Sequence, residues 1–230
     1  MTHLLAIDTT APTCRVALVF NGESFTREST EARKAAQQVL PMIEELLTSA
    51  GSRLQQLDVL AVASGPGSFT GLRIGVATAQ GLSLACSLPV VPLSSLALMA
   101  KAASRQHPGD SYLVCTKARD NEIYFAVYCN EPDGDVTLIG REQVVSPEAA
   151  EIAPQATGKE ATWTGVGNGW VHREQLETAL NVKLNHCLDT AGFDLQDLCD
   201  LACIRFKKGI FVTEEQVLPN YVKEQLDYSQ

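Results

Sequence analysis

Residues 63–86 read "ASGPGSFTGLRIGVATAQGLSLAC", with five glycines, one proline and a single charge, Arg73. The run leading into it, "LDVLAVAS", is short and apolar, as a buried strand is. From Phe69 on, apolar and small residues recur at helical spacing. A strand therefore turns into a helix at "GPGS", Gly65 to Ser68. Glycines at such a turn expose backbone N–H groups at the helix start, which favours anions. The spacing fails the Walker and dinucleotide patterns, however, and no Gly-Lys-Ser or Gly-Lys-Thr comes after it. Motif logic favours a structural turn over a phosphate loop. Along the helix, Gly71, Gly75 and Ala79 form one row of small residues, and Ala77, Gly81 and Ala85 a second. Each interior glycine costs about 1 kcal/mol relative to alanine. A close approach by another element offsets that cost, and the element belongs either to this chain or to a partner.

Upstream the chain is β-rich. "LLAIDTT" is an apolar run ending in Asp8, Thr9 and Thr10. "CRVALVF" and "ESFTRES" flank Asn21-Gly22, a strong hairpin signal because both residues tolerate positive φ. Val39, Leu40, Ile43, Leu46, Leu47 and Ala50 then repeat at helical spacing up to Gly51, a natural stop. Pro41 should kink that helix or mark its first turn. Downstream come a short strand, "LPVVPL", and a helix, "SSLALMAKAAS", with Ser94 as a candidate cap.

After "RQHPGD" the pattern restarts. "SYLVCTKA", "IYFAVYC" and "VTLIGREQVV" read as three strands, and "SPEAA" opens a helix with Ser146 as cap and Pro147 in its first position. "ATWTGVG" is a strand, and "WVHREQLETAL" and "FDLQDLCDLACIRFKKG" are helices. Three strands, then helix, strand and helix, thus occur in both halves. The expected fold is α/β with two similar lobes, residues 1–107 and 108–230, the last segment packing back on the first lobe. Ligands of such proteins usually sit between lobes.

The bulk numbers limit the function. The 230 residues are 45% apolar and 20% charged, as expected of a globular chain. A net charge of −9 argues against direct nucleic-acid binding, which draws on basic surface, so such a role goes through a basic partner. Seven scattered cysteines without a Cys-x-x-Cys pair read as reduced thiols of a cytoplasmic protein. The start lacks the basic and apolar segments of a secretory signal. Ile74 to Ala100 holds no charge and is long enough to span a bilayer, but its serines and prolines make it a buried helix, strand and helix instead.

Little chemistry is visible. Asp8 with Thr9 and Thr10 could hold magnesium and phosphate oxygens; a polar turn is the alternative. "TGVGNGW", with Gly165 and Gly167, offers a resting place for a nucleotide or a tight structural turn. His3, His107, His172 and His186 do not fall at helical ligand spacing, so no metal site is expected. No Gly-x-Ser-x-Gly nucleophile elbow occurs.

At "GPGSFTGLRIGVATAQGL" the chain resembles the TsaB family, also called YeaZ. "LLAIDTT", "LPMIEELL", "AQGL", "IYFAVY", "GVGNGW" and "PNYV" fall in the family's order over nearly the whole chain. The resemblance implies an actin-like, Hsp70-like, sugar-kinase-like fold. It also implies a role beside TsaD, which transfers a threonylcarbamoyl group to adenosine 37 of tRNAs reading codons that begin with A. TsaE, an ATPase, joins them, and tRNA is met only through the complex. TsaD carries a His-x-x-x-His metal pair whose positions fall here on Ser95 and Met99, neither a plausible ligand for iron or zinc. The resemblance therefore implies a non-catalytic activator. Where relatives read Asp-Ala-Arg, this chain has Lys117, Ala118 and Arg119, and a lysine cannot ligate magnesium. No tightly bound cofactor is expected, only weak or partner-shared ATP or ADP near Asp8, Thr9, Thr10, Gly165 and Gly167. The family's contact with TsaD, or with a second copy when TsaD is absent, uses the first two helices. Carried over, it assigns Leu40, Ile43, Leu47, Gly71, Leu72, Gly75 and Ala79 to the partner interface. The alternatives are an ATP-dependent phosphotransferase, resting on Asp8 and the glycine turns, and a metallopeptidase-like protein, which lacks ligands.

Overall fold

The computed structural model describes residues 1–29, 31, 33–154, 162–189 and 192–222. They divide into two compact units that do not follow chain order. The first comprises residues 1–95 and 194–220, and the second residues 96–193 with Tyr221 and Val222.

The first unit is built on a five-stranded sheet of β1 (Leu4–Asp8), β2 (Arg15–Phe20), β3 (Glu23–Glu28), β4 (Val59–Gly65) and β5 (Val90–Ser94) in the order β3-β2-β1-β4-β5. β1, β2 and β3 form an antiparallel meander, and β4 and β5 add in parallel to β1. Helices α1 (Ala35–Ser49) and α2 (Phe69–Cys86) cover one face, on which Leu5, Ile7, Val16, Leu18, Leu60 and Val62 meet Val39, Ile43, Leu46 and Val76. Side chains alternate across a strand, so Leu4, Ala6, Ala61 and Ala63, also buried, face the other way. That side is covered by α5 (Leu195–Lys207), which packs on β1, β2, β4 and β5. Burial on both faces explains why β1 and β4 read as unbroken apolar runs. The Asp194/Asp197 capping box starts α5.

The second unit repeats the topology. Its strands β6 (Ser111–Lys117), β7 (Ile123–Asn130), β8 (Val136–Val145), β9 (Trp163–Val166) and β10 (His186–Leu188) lie in the order β10-β9-β6-β7-β8. In both sheets the strands therefore run third, second, first, fourth, fifth, with an antiparallel meander and two parallel additions. Leu113, Cys115, Phe125, Val127, Trp163 and Trp170 pack with Leu176 and Leu180 of α4 (Arg173–Leu180). α3 (Ser95–Gln106) also belongs to this unit from Leu96 on, and its Lys101 donates to the Gly134 carbonyl at 2.6 Å.

Several local expectations need correction. Of the two readings of Pro41 the first-turn one is excluded: α1 begins six residues earlier, and Pro41 lies inside it on the exposed side. "SPEAA" gives only a 3-10 turn, Pro147–Ala149, without a side-chain bond from Ser146. The helix after β9 starts as a 3-10 turn, Asn168–His172, before becoming α4. β10 lay below what periodicity can detect, being three residues long. Among the described residues no helix is long and apolar enough to cross a membrane.

All seven cysteines are free thiols. Burial pushes Cys115 and Cys199 up to about 12 and Cys14 up to about 11. An acid whose folded pKa is raised supports the fold below its unfolded value, about 8.5, and that support is lost as pH rises through the folded value. The native chain should therefore lose stability above about pH 8.5. Iodoacetamide at neutral pH should modify exposed Cys187 first and spare Cys14, Cys115 and Cys199 until urea is added, as peptide mass mapping would show. Native modification of the buried three at the rate of Cys187 would contradict the burial.

Candidate functional site

Two of the motifs prove to be halves of one contact. Thr9 is 1% exposed and donates through Oγ1 to the Gly71 carbonyl at 2.7 Å. The Ser68 N–H donates to the Thr10 carbonyl at 2.9 Å. A Cβ added at Gly71 would stand 1.9 Å from the Thr9 carbonyl oxygen, and one at Gly75 2.4 Å from Thr9 Oγ1. One at Gly67 would stand 2.8 Å from Thr10 Cβ. Glycine at these three positions lets the end of β1 lie directly on the turn and first coils of α2. Ser68 caps the helix by accepting from the Gly71 N–H.

Asp8 is likewise engaged within the chain. It is 0% exposed, and across the β1–β2 pair it faces Arg15. Its Oδ1 accepts from the Thr10 N–H at 2.8 Å and from Thr10 Oγ1 at 2.6 Å. Its Oδ2 accepts from Arg15 Nε at 3.0 Å and also from Arg15 Nη2. With both oxygens occupied by two donors each, the carboxylate of Asp8 acts as a brace for the turn. Beside it runs a groove of about 530 Å³, lined by Thr10, Pro12, Arg33, Ser68, Thr70 and Ile74 among others.

"GVGNGW" is a second close approach. A Cβ at Gly165 would meet Leu184 and the Trp170 ring at 2.6 and 2.9 Å, and one at Gly167 the Cys115 carbonyl oxygen at 2.5 Å. Gly167 also has φ +102°, which L side chains rarely adopt. Trp170 Nε1 donates to the Leu113 carbonyl at 2.9 Å, and Asn168 Oδ1 accepts from the Lys117 N–H at 3.0 Å. The glycines press the turn onto β6. Ser95 and Met99 are both buried, and among the described residues no group of three His, Cys, Asp or Glu side chains could hold a metal ion.

The surface of α1 and α2 differs from the set of residues read from the sequence. Ile43, Gly71, Leu72, Gly75 and Ala79 are buried inside this chain, and Leu47 is half-buried against the core. The element that approaches Gly71 and Gly75 is the chain's own Thr9, so the close approach at those two glycines is made within this chain. Leu40 alone of the seven is exposed, at 55%. The second row points outward: Ala77, Gly81 and Ala85 are exposed, and a Cβ at Gly81 would meet nothing within 4 Å. Leu84, on the same side, is 70% exposed. Arg73 lies over the half-exposed Phe69 ring at 3.9 Å and marks the same side at the helix start. The signal was available: Arg73, the one charge in α2, must face water, and Ala77, Gly81 and Leu84 share its face.

The comparisons with known proteins agree in direction. Residues 29–203 match the family model described as TsaD, tRNA N6-adenosine threonylcarbamoyltransferase. The chain is 34% identical to the tRNA threonylcarbamoyladenosine biosynthesis protein TsaB of Escherichia coli, covering 96% of this chain and 94% of that protein. The chain belongs to the TsaB family. The TsaB of Haemophilus influenzae is 33% identical, with 98% and 95% covered. YeaZ from Pseudomonas aeruginosa superimposes with a TM-score of 0.82 at 34% identity, over 96% of this chain and all of that one. The doubled strand order is accordingly the actin-like, sugar-kinase-like fold of this family, and tRNA threonylcarbamoyladenosine biosynthesis is the process to which it belongs.

Proposed function

We propose that this protein is a non-catalytic partner and activator of a TsaD threonylcarbamoyltransferase, docking through the outer faces of α1 and α2. The observation that carries the reading is Gly81. Glycine inside an exposed helix weakens it by about 1 kcal/mol, and among the described residues nothing packs where its side chain would be. With the exposed Ala77, Leu84 and Ala85 on the same helix and exposed Leu40 on α1, it offers apolar surface that another chain's backbone can approach closely. The interface residues on this reading are Leu40, Ala77, Gly81, Leu84 and Ala85.

The non-catalytic part of the proposal is supported by the buried hydroxyl and thioether at Ser95 and Met99, and by the full engagement of Asp8. ATP or ADP is held weakly or shared with the partner, TsaE joins the pair, and tRNA is reached through the complex in the cytoplasm. Without TsaD, the same face pairs two copies of this chain.

Gly81→Arg tests the reading. The substitution meets open space in the isolated chain, so circular dichroism and melting should be unchanged. Light scattering should show loss of association with the organism's TsaD, and tRNA modification by the reconstituted components should fall to the level seen without this chain. Undiminished association by a folded Gly81→Arg protein would sink the interface. Full modification in the absence of this chain would sink the activator role.

A further inference from the structure

The sequence holds two Asn-Gly dipeptides, Asn21-Gly22 and Asn168-Gly169, in opposite surroundings. Asn21 and Gly22 form the exposed two-residue loop between β2 and β3, with φ +53° and +83°. No hydrogen bond of the Asn21 carboxamide occurs among the described residues. Asn168 is the reverse case. Its Oδ1 is held by the Lys117 N–H at 3.0 Å, and Gly169 is pressed so closely on Cys115 that an added Cβ would stand 2.3 Å from the sulfur.

We infer that Asn21 is a site of spontaneous deamidation in the folded protein and that Asn168 is protected. Next to glycine no side chain hinders the backbone nitrogen, so the Gly22 nitrogen attacks Cγ of Asn21. The new N–Cγ bond forms, the Cγ–Nδ2 bond breaks, and ammonia leaves carrying the proton lost by the Gly22 nitrogen. Water then opens the five-membered imide, adding hydroxyl to one carbonyl carbon and hydrogen to the nitrogen, and gives aspartate or its isoaspartyl isomer. The isomer adds a backbone atom to a loop whose flanking residues, Phe20 and Glu23, are paired. At Asn168 the held carboxamide and the packed glycine leave no room for ring closure.

The test uses the intact wild-type chain, aged at mildly alkaline pH and mapped by peptide mass, with a parallel sample in urea. Folded protein should deamidate at position 21 roughly tenfold or more faster than at 168, while unfolded chain reacts at comparable rates at both, because local packing sets the protection. Equal rates in the folded protein would overturn the inference. So would a folded Asn21 that stays intact while the unfolded chain reacts.

Discussion

Gly71→Ala should cost the chain about 3 kcal/mol or more, beyond ordinary overpacking, because the new methyl collides with backbone. Its Cβ would lie 1.9 Å from the Thr9 carbonyl oxygen, which cannot rotate away as a side-chain tip would. At this chain length that loss lowers the melting temperature by about 6 to 12 °C. Gly81→Ala is the matched control. It adds the same methyl to the same helix in open space, and should stabilise by about 1 kcal/mol. Thermal melts of the two variants side by side decide the matter. If both shift alike, helix propensity governs this helix and the contact with Thr9 does not.

Arg15→Met carries a second large expected effect. It leaves the Asp8 carboxylate, 0% exposed, without its guanidinium. Removing one partner of a buried pair typically costs about 3–5 kcal/mol, more than the pair contributes over an apolar replacement. Asp8→Asn in the Arg15→Met background should recover part of the loss by removing the stranded charge. Urea titration followed by circular dichroism measures all three proteins. A loss under about 1 kcal/mol for Arg15→Met, the value of an exposed pair, would show that water reaches Asp8. The same experiment bears on function. If Asp8 instead served a nucleotide, binding of ATP with magnesium would fall when Asp8→Asn is added to Arg15→Met while the fold held.

The architecture was legible because it is written in long apolar runs and in punctuation. β1 and β4 are buried on both faces, Asn21-Gly22 closes a hairpin, and Gly51 ends α1. The doubling could be read from the order of elements without any repeat of residues. What remained hidden depended on three-dimensional proximity. Gly71 and Gly75 announce a close approach, but spacing along a helix does not say who approaches, and Thr9 is 62 positions from the carbonyl it holds. Asp8 looked like a metal or phosphate ligand for the same reason: its four donors include Arg15, which only strand pairing brings opposite. Turning α2 so that Arg73 faces water would have separated the inner row from the outer one. The short β10 and the brief 3-10 turn at Pro147 carried too few residues for periodicity to register.

The return of α5 to the first sheet has a consequence for synthesis. Leu4, Ala6, Ala61 and Ala63 lack cover until residues 195–207 have left the ribosome, after the second unit's strands. The amino-terminal strands are therefore made first and finished last, and during that interval one side of a largely assembled sheet is open to water and to neighbouring nascent chains. A chain halted before α5 should be sticky and chaperone-dependent, so that release of the full-length polypeptide, and not the making of its first hundred residues, times the completion of the first unit.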